Sequence, residues 1–104
     1  MLKSPTTTEL LPAVHPGEVL QVEFMDELGL SQNAIARALG VPPRRINEIV
    51  HGARSVTADT ALRLSRYFGT SPQFWLNLQA KYDLDMVEDG IAAQLADINP
   101  FVFA

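Results

Sequence analysis

The chain has 104 residues, of which 47% are hydrophobic and 19% charged, and this composition predicts one folded domain with a single modest core. The absence of cysteine excludes disulfides and thiolate metal sites, and no apolar run approaches the roughly 18 residues of a membrane span or forms a signal peptide. The net charge of −4 argues against a nucleic-acid partner, but residues 31–54 hold four arginines and a single acid.

The first predicted element follows an N-terminal segment with little hydrophobic periodicity. Residues 1–14 are expected to form a flexible arm. A helix should begin near Pro16, because proline is preset for the first helical turn, and end at Gly29. Its inner face is predicted to carry residues spaced four apart: Leu20, Phe24 and Leu28.

The run from Gln32 to Val50 has the spacing of a helix-turn-helix. Ser31 can cap the second helix, and Gly40 can end it in the left-handed conformation. The third helix is expected from about Pro43 to Val50. The apolar positions that should hold the two helices together are Ile35, Leu39, Val41, Ile46, Ile49 and Val50, with the small Ala36 where the helices meet.

Three more helices are predicted after Gly52. Thr57 should cap the fourth, with Asp59 in its first turn and with Ala61, Leu62, Ser65 and Phe68 facing inward. Ser71-Pro72 should open a fifth helix whose apolar residues, Phe74, Trp75, Leu78 and Tyr82, form core or a dimer seam. The spacing of Ile91, Leu95 and Ile98 predicts a last amphipathic helix, and the apolar tail from Pro100 should pack on the core or across a dimer. The fold class is therefore predicted to be all-α.

The polar side of the third helix is the candidate DNA-binding surface. Arg44 and Asn47 have the side chains that read guanine and adenine in the major groove, whereas Arg45 suits a phosphate. Glu48 could accept from cytosine or steer Arg44 or Arg45. Gln32 should hold a phosphate at the start of the second helix. The predicted DNA-binding residues are Gln32, Arg37, Pro43, Arg44, Arg45, Asn47, Glu48, His51 and Arg54.

Five separated blocks give the chain a resemblance to a known family. They are His15-Pro16-Gly17-Glu18-Val19-Leu20, Gly29-Leu30-Ser31-Gln32, Pro42 to Ile49, Thr57 to Ala61, and Phe74-Trp75-Leu76-Asn77-Leu78-Gln79. Together they resemble the HigA antitoxins of toxin–antitoxin modules, within the lambda-repressor-like helix-turn-helix superfamily, over about residues 14–82. The resemblance implies a five-helix lambda-repressor-like domain at residues 15–82, and a C-terminal helix and tail at residues 83–104 for packing or dimerisation.

The same resemblance implies partners and a setting. The expected protein is a cytoplasmic, nucleoid-associated bacterial homodimer that binds the operator DNA of its own operon and a cognate HigB-like toxin. That toxin resembles RelE-type ribonucleases, which cleave messenger RNA on the ribosome. Gln32 looks like the phosphate-holding glutamine of the superfamily. Pro42-Pro43 departs from the serine or threonine that commonly opens the third helix, so Arg44 and Arg45 are expected to carry more of the DNA contact.

Other chemistry has little support in the sequence. His15 and His51 lack partners at metal-ligand spacing, and neither a catalytic triad nor a phosphate loop is present, so no enzyme activity, metal or cofactor is expected. Acidic residues cluster in the first helix and between Asp83 and Asp97, as a solvated face or as a surface for a basic toxin. The alternatives are a stand-alone dimeric repressor and a protein-interaction module that has lost DNA contact.

Overall fold

Six helices and no strand make up residues 13–103, the part of the chain that the computed structural model describes. Helix α1 is continuous through three segments: α-helical Pro16–Val19, π-helical Leu20–Met25 and α-helical Asp26–Leu28. The others are α2 (Gln32–Leu39), α3 (Pro43–Val50), α4 (Ala58–Phe68), α5 (Pro72–Glu88) and α6 (Ala92–Ala96). The all-α prediction is confirmed. The predicted flexible arm lies outside the described residues, apart from residues 13 and 14.

The π-helical segment changes which side of α1 faces the core. A π-helix joins residues five apart, and Asp26 N–H accordingly donates to the carbonyl of Gln21. Leu20 and Met25, which are five apart, are both buried. The prediction that Leu28 faces inward is wrong: it is 59% exposed, because the wider turn rotates the end of the helix away from the four-residue spacing.

The core forms around the aromatic ring of Trp75 and the packed faces of α2, α3 and α4. Trp75 is fully buried, and its indole N–H donates to the Thr70 hydroxyl at 2.8 Å. Its ring lies 5.3 Å from that of Phe24, which also contacts Phe68 at 4.7 Å between centroids. Burial of this aromatic group, with its one polar atom satisfied, fixes α1 and α4 against α5.

Helix α4 differs from its prediction at two positions. Leu62 is 59% exposed, whereas Leu64 is fully buried, so the inner face follows the helical spacing Ala61, Leu64, Ser65 and Phe68. Thr57 stands at the N-cap in extended conformation, but its hydroxyl caps no backbone N–H group. The predicted caps at Ser31 and Ser71 are confirmed, since their hydroxyls accept from the backbone three residues later at 3.0 and 3.1 Å.

Helix α1 crosses α3 at a glycine that leaves no room for a side chain. A Cβ atom built on Gly17 would lie 1.7 Å from the carbonyl oxygen of Ile49 and 3.0 Å from the Cα atom of Val50. The backbones of the two helices are therefore in direct contact. This contact fixes the last turn of α3 relative to the first turn of α1.

A buried histidine caps α1 next to this crossing. Nδ1 of His15 accepts from the backbone N–H of Gly17 at 2.9 Å, and the ring lies edge-on to Tyr82, 4.9 Å between centroids. Burial lowers the pKa of His15 below 6.5, although the carboxylate of Asp83 and a hydrogen bond to the backbone of Arg54 partly oppose the shift. The neutral ring is the form whose Nδ1 can accept this bond.

Helix α5 holds the segment after α3 through a buried amide. Gln79 is 6% exposed, and its Oε1 accepts from the backbone N–H of Val56 at 2.7 Å. Its Nε2 donates to Asp83 at 2.9 Å. Both ends of the side chain are satisfied, so this polar group joins α5 to the loop that carries Arg54 without an unpaired buried atom.

The C-terminal segment does not pack on the domain. Helix α5 continues past residue 82 to Glu88, and all residues from 86 to 103 are exposed. Of the two predicted arrangements of the tail, packing on the core is not seen, since Phe101, Val102 and Phe103 are 77–85% exposed, whereas packing across a dimer stays a prediction. The rings of Phe101 and Phe103 lie 4.9 Å apart between centroids. Within residues 13–103, no helix is long and apolar enough to cross a membrane.

We expect Gly17→Ala to destabilise the protein by about 1–3 kcal/mol or more, because the added methyl group forces the α1 and α3 backbones apart. Chemical denaturation of both forms measures the change. Gly90→Ala is the matched control: its Cβ would meet its nearest neighbour, the Val87 carbonyl oxygen, at an ordinary 3.5 Å. Equal stability of the two variants would contradict the close crossing.

Candidate nucleic-acid interface

The position of α3 follows from its packing on α2. Ile46 and Ile49 are fully buried, and Ala36 is 1% exposed where the two helices meet. Gly40 adopts φ +71°, a conformation that side chains disfavour, and this left-handed residue allows the sharp turn between the helices. Burial of one face leaves the opposite face of α3 at the surface, as the helix-turn-helix prediction requires.

Helix α3 begins without a capping side chain. Pro42 occupies the N-cap in extended conformation and Pro43 is the first helical residue, and neither offers a hydroxyl or carboxylate. The backbone N–H of Arg45 bonds to the carbonyl of Pro42 at 3.0 Å. Side chains further along α3 therefore have to provide the polar contacts at this end of the helix.

Glu48 is the centre of the exposed face. Nε of Arg44 donates to Oε2 of Glu48 at 2.9 Å, and Arg54 donates to Oε1 at 2.8 Å. These two guanidinium groups, that of Arg54 first, lower the pKa of Glu48. The sequence predicts that Glu48 steers either Arg44 or Arg45. In the structure Glu48 pairs with Arg44 and also with Arg54, whereas Arg45 pairs with another residue. The side chain of Arg44 remains 84% exposed.

Two amides predicted to act separately are paired. Nδ2 of Asn47 donates to Oε1 of Gln32 at 3.1 Å, so the first residue of α2 contacts the middle of α3. The remaining amide N–H and carbonyl groups of the pair can still donate and accept. Together the two side chains form one hydrogen-bonding surface across both helices.

Arg45 is bound by an acid that the sequence analysis did not place at this site. Its Nη1 donates to Oδ1 of Asp59 at 2.9 Å, and Nε of Arg63 donates to the same oxygen at 2.8 Å. The sequence predicts Asp59 only as a favourable charge in the first turn of α4. Its approach to α3 depends on the tertiary packing of α4, which sequence spacing does not reveal.

The remaining predicted residues are His51, Pro43 and Arg37. His51 is exposed just after α3, and one ring nitrogen lies 2.8 Å from the carbonyl oxygen of Asn47. Pro43 is exposed at the start of α3. Arg37 is exposed in the last turn of α2 and makes no side-chain hydrogen bond to the described residues. Hydrogen bonds thus link six of the nine predicted residues in two groups: Arg44, Glu48 and Arg54 through their side chains, and Gln32, Asn47 and His51, with His51 bonded to the Asn47 backbone.

A metal centre has no basis in the described part of the chain. No group of three or more histidine, aspartate or glutamate side chains is placed to hold an ion in residues 13–103. His15, the buried histidine, uses Nδ1 to cap α1 instead. The surface that remains is a cluster of arginines and amides ordered by two carboxylates.

Comparison with known proteins places the chain among helix-turn-helix proteins. The helix-turn-helix family profile matches residues 23–75. Virulence-associated protein I of Dichelobacter nodosus is 59% identical over 78 residues, 75% of this chain and 72% of that protein. Antitoxin HigA-1 of Vibrio cholerae is 38% identical over 71 residues, 68% of this chain and 67% of that protein.

A solved structure extends the similarity to three dimensions. The antitoxin HigA of Pseudomonas aeruginosa, determined with the higBA promoter, superposes with a TM-score of 0.83 at 43% identity. The match covers 88% of this chain and all of that one. The shared fold includes the helix pair that places α3 at the surface.

Proposed function

This chain belongs to the HigA family of helix-turn-helix antitoxins, and on that premise we propose that it binds and represses its own operon as a homodimer and neutralises a ribonuclease toxin. The observation that carries the proposal is the exposed polar face of α3, headed by Arg44. The relative from Pseudomonas aeruginosa, solved with promoter DNA, shares the fold that presents this face.

Arg44 is the proposed reader of a base. In helix-turn-helix proteins the N-terminal residues of the recognition helix, here α3, contact base edges. The bond from Nε of Arg44 to Glu48 leaves both terminal nitrogens for O6 and N7 of a guanine. Glu48 thus orders the side chain before DNA arrives, which lowers the entropy lost on binding.

Gln32, Arg45 and Arg54 are proposed to contact the DNA backbone around this reader. Gln32 is the first residue of α2, where free N–H groups and the helix dipole favour a phosphate. Arg54 follows α3 and remains half-exposed while it pairs with Glu48. Phosphate contacts of this kind fix the orientation of the protein on the duplex but do not read its sequence.

The exposed C-terminal segment is the proposed dimer interface. Leu95 of α6 and the residues that flank this helix, Ile91 and Ile98, are 37–66% exposed, and the aromatic pair Phe101 and Phe103 follows. Extensive exposed apolar surface is rare on a monomer. A two-fold dimer buries it and presents two recognition helices to two half-sites.

The outer face of α1 is the proposed toxin-binding surface. Glu18, Glu23, Asp26 and Glu27 are exposed, and no lysine or arginine occurs in residues 13–36. Val22 and Leu28 add exposed apolar surface, 49 and 59% respectively. A ribonuclease must be positively charged where RNA binds, so an acidic face with apolar contacts is complementary to it.

Replacing Arg44 with alanine should weaken binding to the cognate operator by about 1–3 kcal/mol, because a bidentate base contact is lost. Fluorescence anisotropy with operator and scrambled duplexes measures the effect. Arg66→Ala removes the same charge from an exposed position on α4 and serves as control. Equal losses on both duplexes would mean that Arg44 contacts only phosphate.

Leu95→Asp should convert the dimer to a monomer, because it places a charge in the apolar interface. Sedimentation equilibrium measures the mass of each form. Operator affinity should also fall by about tenfold or more. In the dimer, binding of one subunit holds the other close to the second half-site, and a monomer loses this advantage. Gln94→Asp puts the same charge on the neighbouring exposed residue and should remain dimeric. A dimeric Leu95→Asp protein would exclude this interface.

Co-expression with the product of the adjacent open reading frame should yield a stable complex that has lost ribonuclease activity. Size-exclusion chromatography and messenger-RNA cleavage assays provide the two readouts. Combined Glu23→Gln and Glu27→Gln substitutions should weaken the complex, whereas Arg44→Ala should leave it intact. Absence of any complex would favour the stand-alone repressor, and a complex insensitive to the α1 substitutions would exclude α1 as its contact surface.

A further inference from the structure

We infer that Asp59 is a positioning residue for DNA recognition: it holds Arg45 on α3 and, through Arg63, ties α3 to the end of α2. The inference rests on the proposed DNA binding and extends it to two residues of α4. Neither residue belongs to the predicted DNA-binding set.

One carboxylate oxygen joins two arginines from different helices. Oδ1 of Asp59 accepts from Nη1 of Arg45 at 2.9 Å and from Nε of Arg63 at 2.8 Å. The Arg45 side chain is 28% exposed, against 84% for Arg44, so it is the more confined of the two adjacent arginines. Asp59 therefore selects one direction for a side chain that is otherwise long and flexible.

Arg63 carries the connection on to α2. Its Nη1 donates to the carbonyl oxygen of Leu39 at 2.8 Å and lies 3.5 Å from that of Gly40. The last carbonyl groups of a helix have no partner within it, and Arg63 supplies one at the C-terminus of α2. The chain of contacts Leu39, Arg63, Asp59 and Arg45 thus spans the turn of the helix-turn-helix from outside.

This span adds a side-chain connection to a turn that is otherwise joined by backbone hydrogen bonds. Pro42 caps α3 without a side-chain hydrogen bond, and Pro43 has no N–H group. The first turn of α3 therefore depends on contacts made by its side chains, of which Arg45 to Asp59 reaches another helix. Movement of Asp59 would release Arg45 and loosen the link between α2 and the start of α3.

The charge of Asp59 also affects which DNA is bound. A carboxylate beside a DNA-binding arginine repels phosphates within the screening length of about 10 Å at 0.1 M salt. It holds Arg45 in one orientation and opposes the nonspecific contacts that a freely moving arginine would make. Asp59 thereby disfavours any duplex on which the rest of the interface does not fit.

The test is Asp59→Asn, which removes the charge and keeps the size of the side chain. Duplexes of about 30 base pairs, long enough for two half-sites, tile the DNA upstream of the gene, and the tightest is compared with its scrambled version. We expect the ratio of operator to scrambled affinity to fall by about tenfold, mainly through tighter binding of the scrambled duplex. Asp59→Glu should restore the ratio.

A double-mutant cycle identifies the route of the effect. In an Arg45→Gln background, Asp59→Asn should change the ratio little, because the side chain it orders is absent. Asp89→Asn removes the same charge at the exposed end of α5 and should leave the ratio unchanged. Thermal melting verifies folding, and Asp59→Ser, a residue compatible with a first helical turn, replaces Asp59→Asn if that variant is unfolded.

Each outcome has one meaning. An unchanged ratio, or equal weakening on both duplexes with a lower melting temperature, would overturn the positioning role and leave Asp59 a structural residue. Persistence of the Asp59→Asn effect without Arg45 would overturn the route through that arginine. Failure of the unmodified protein to prefer any upstream duplex would instead count against the proposed DNA-binding function.

Discussion

The recognition helix is held in place by the burial of two isoleucines. Eight residues are too few for a helix to be stable on its own in water, so α3 depends on what it packs against. Ile46 and Ile49 are fully buried, with Ala36 of α2 on one side and the backbone at Gly17 on the other. Each neighbour is small where α3 approaches. The buried face of α3 fits against α1 and α2 in only one orientation, so the orientation of its exposed face is fixed as well.

The exposed face shows how an acidic protein can carry a surface for DNA. Glu48 and Asp59 each bind two arginines, so the carboxylates order the positive charges. The arginines lower the pKa of both acids, and both therefore remain charged well below neutral pH. Ion pairs this exposed contribute little to folding stability. Their effect is on the directions in which the arginines point, and the proposed DNA selectivity depends on those directions.

Local signals predicted the helices well because they act within a few residues. Ser31 and Ser71 cap the helices that the sequence assigns to them, and the inward positions of α2 and α3 follow the helical period. Leu28 was misplaced because a π-helical turn alters that period without any marker residue such as proline. Asp59 was overlooked as part of the site because its contact with Arg45 crosses from one helix to another. The apolar sequence of the tail predicts burial but does not identify what covers it, so packing across a dimer stays a prediction.

The continuity of α5 has a consequence for the geometry of the operator. Gln79, in the middle of α5, is hydrogen-bonded to the loop after α3, and this 17-residue helix continues toward the tail. In a two-fold dimer joined at that tail, the length of α5 sets the distance between the two DNA-binding domains. One inserted residue would lengthen it by about 1.5 Å and turn it by about 100°. The preferred number of base pairs between half-sites would then depend on the length of α5.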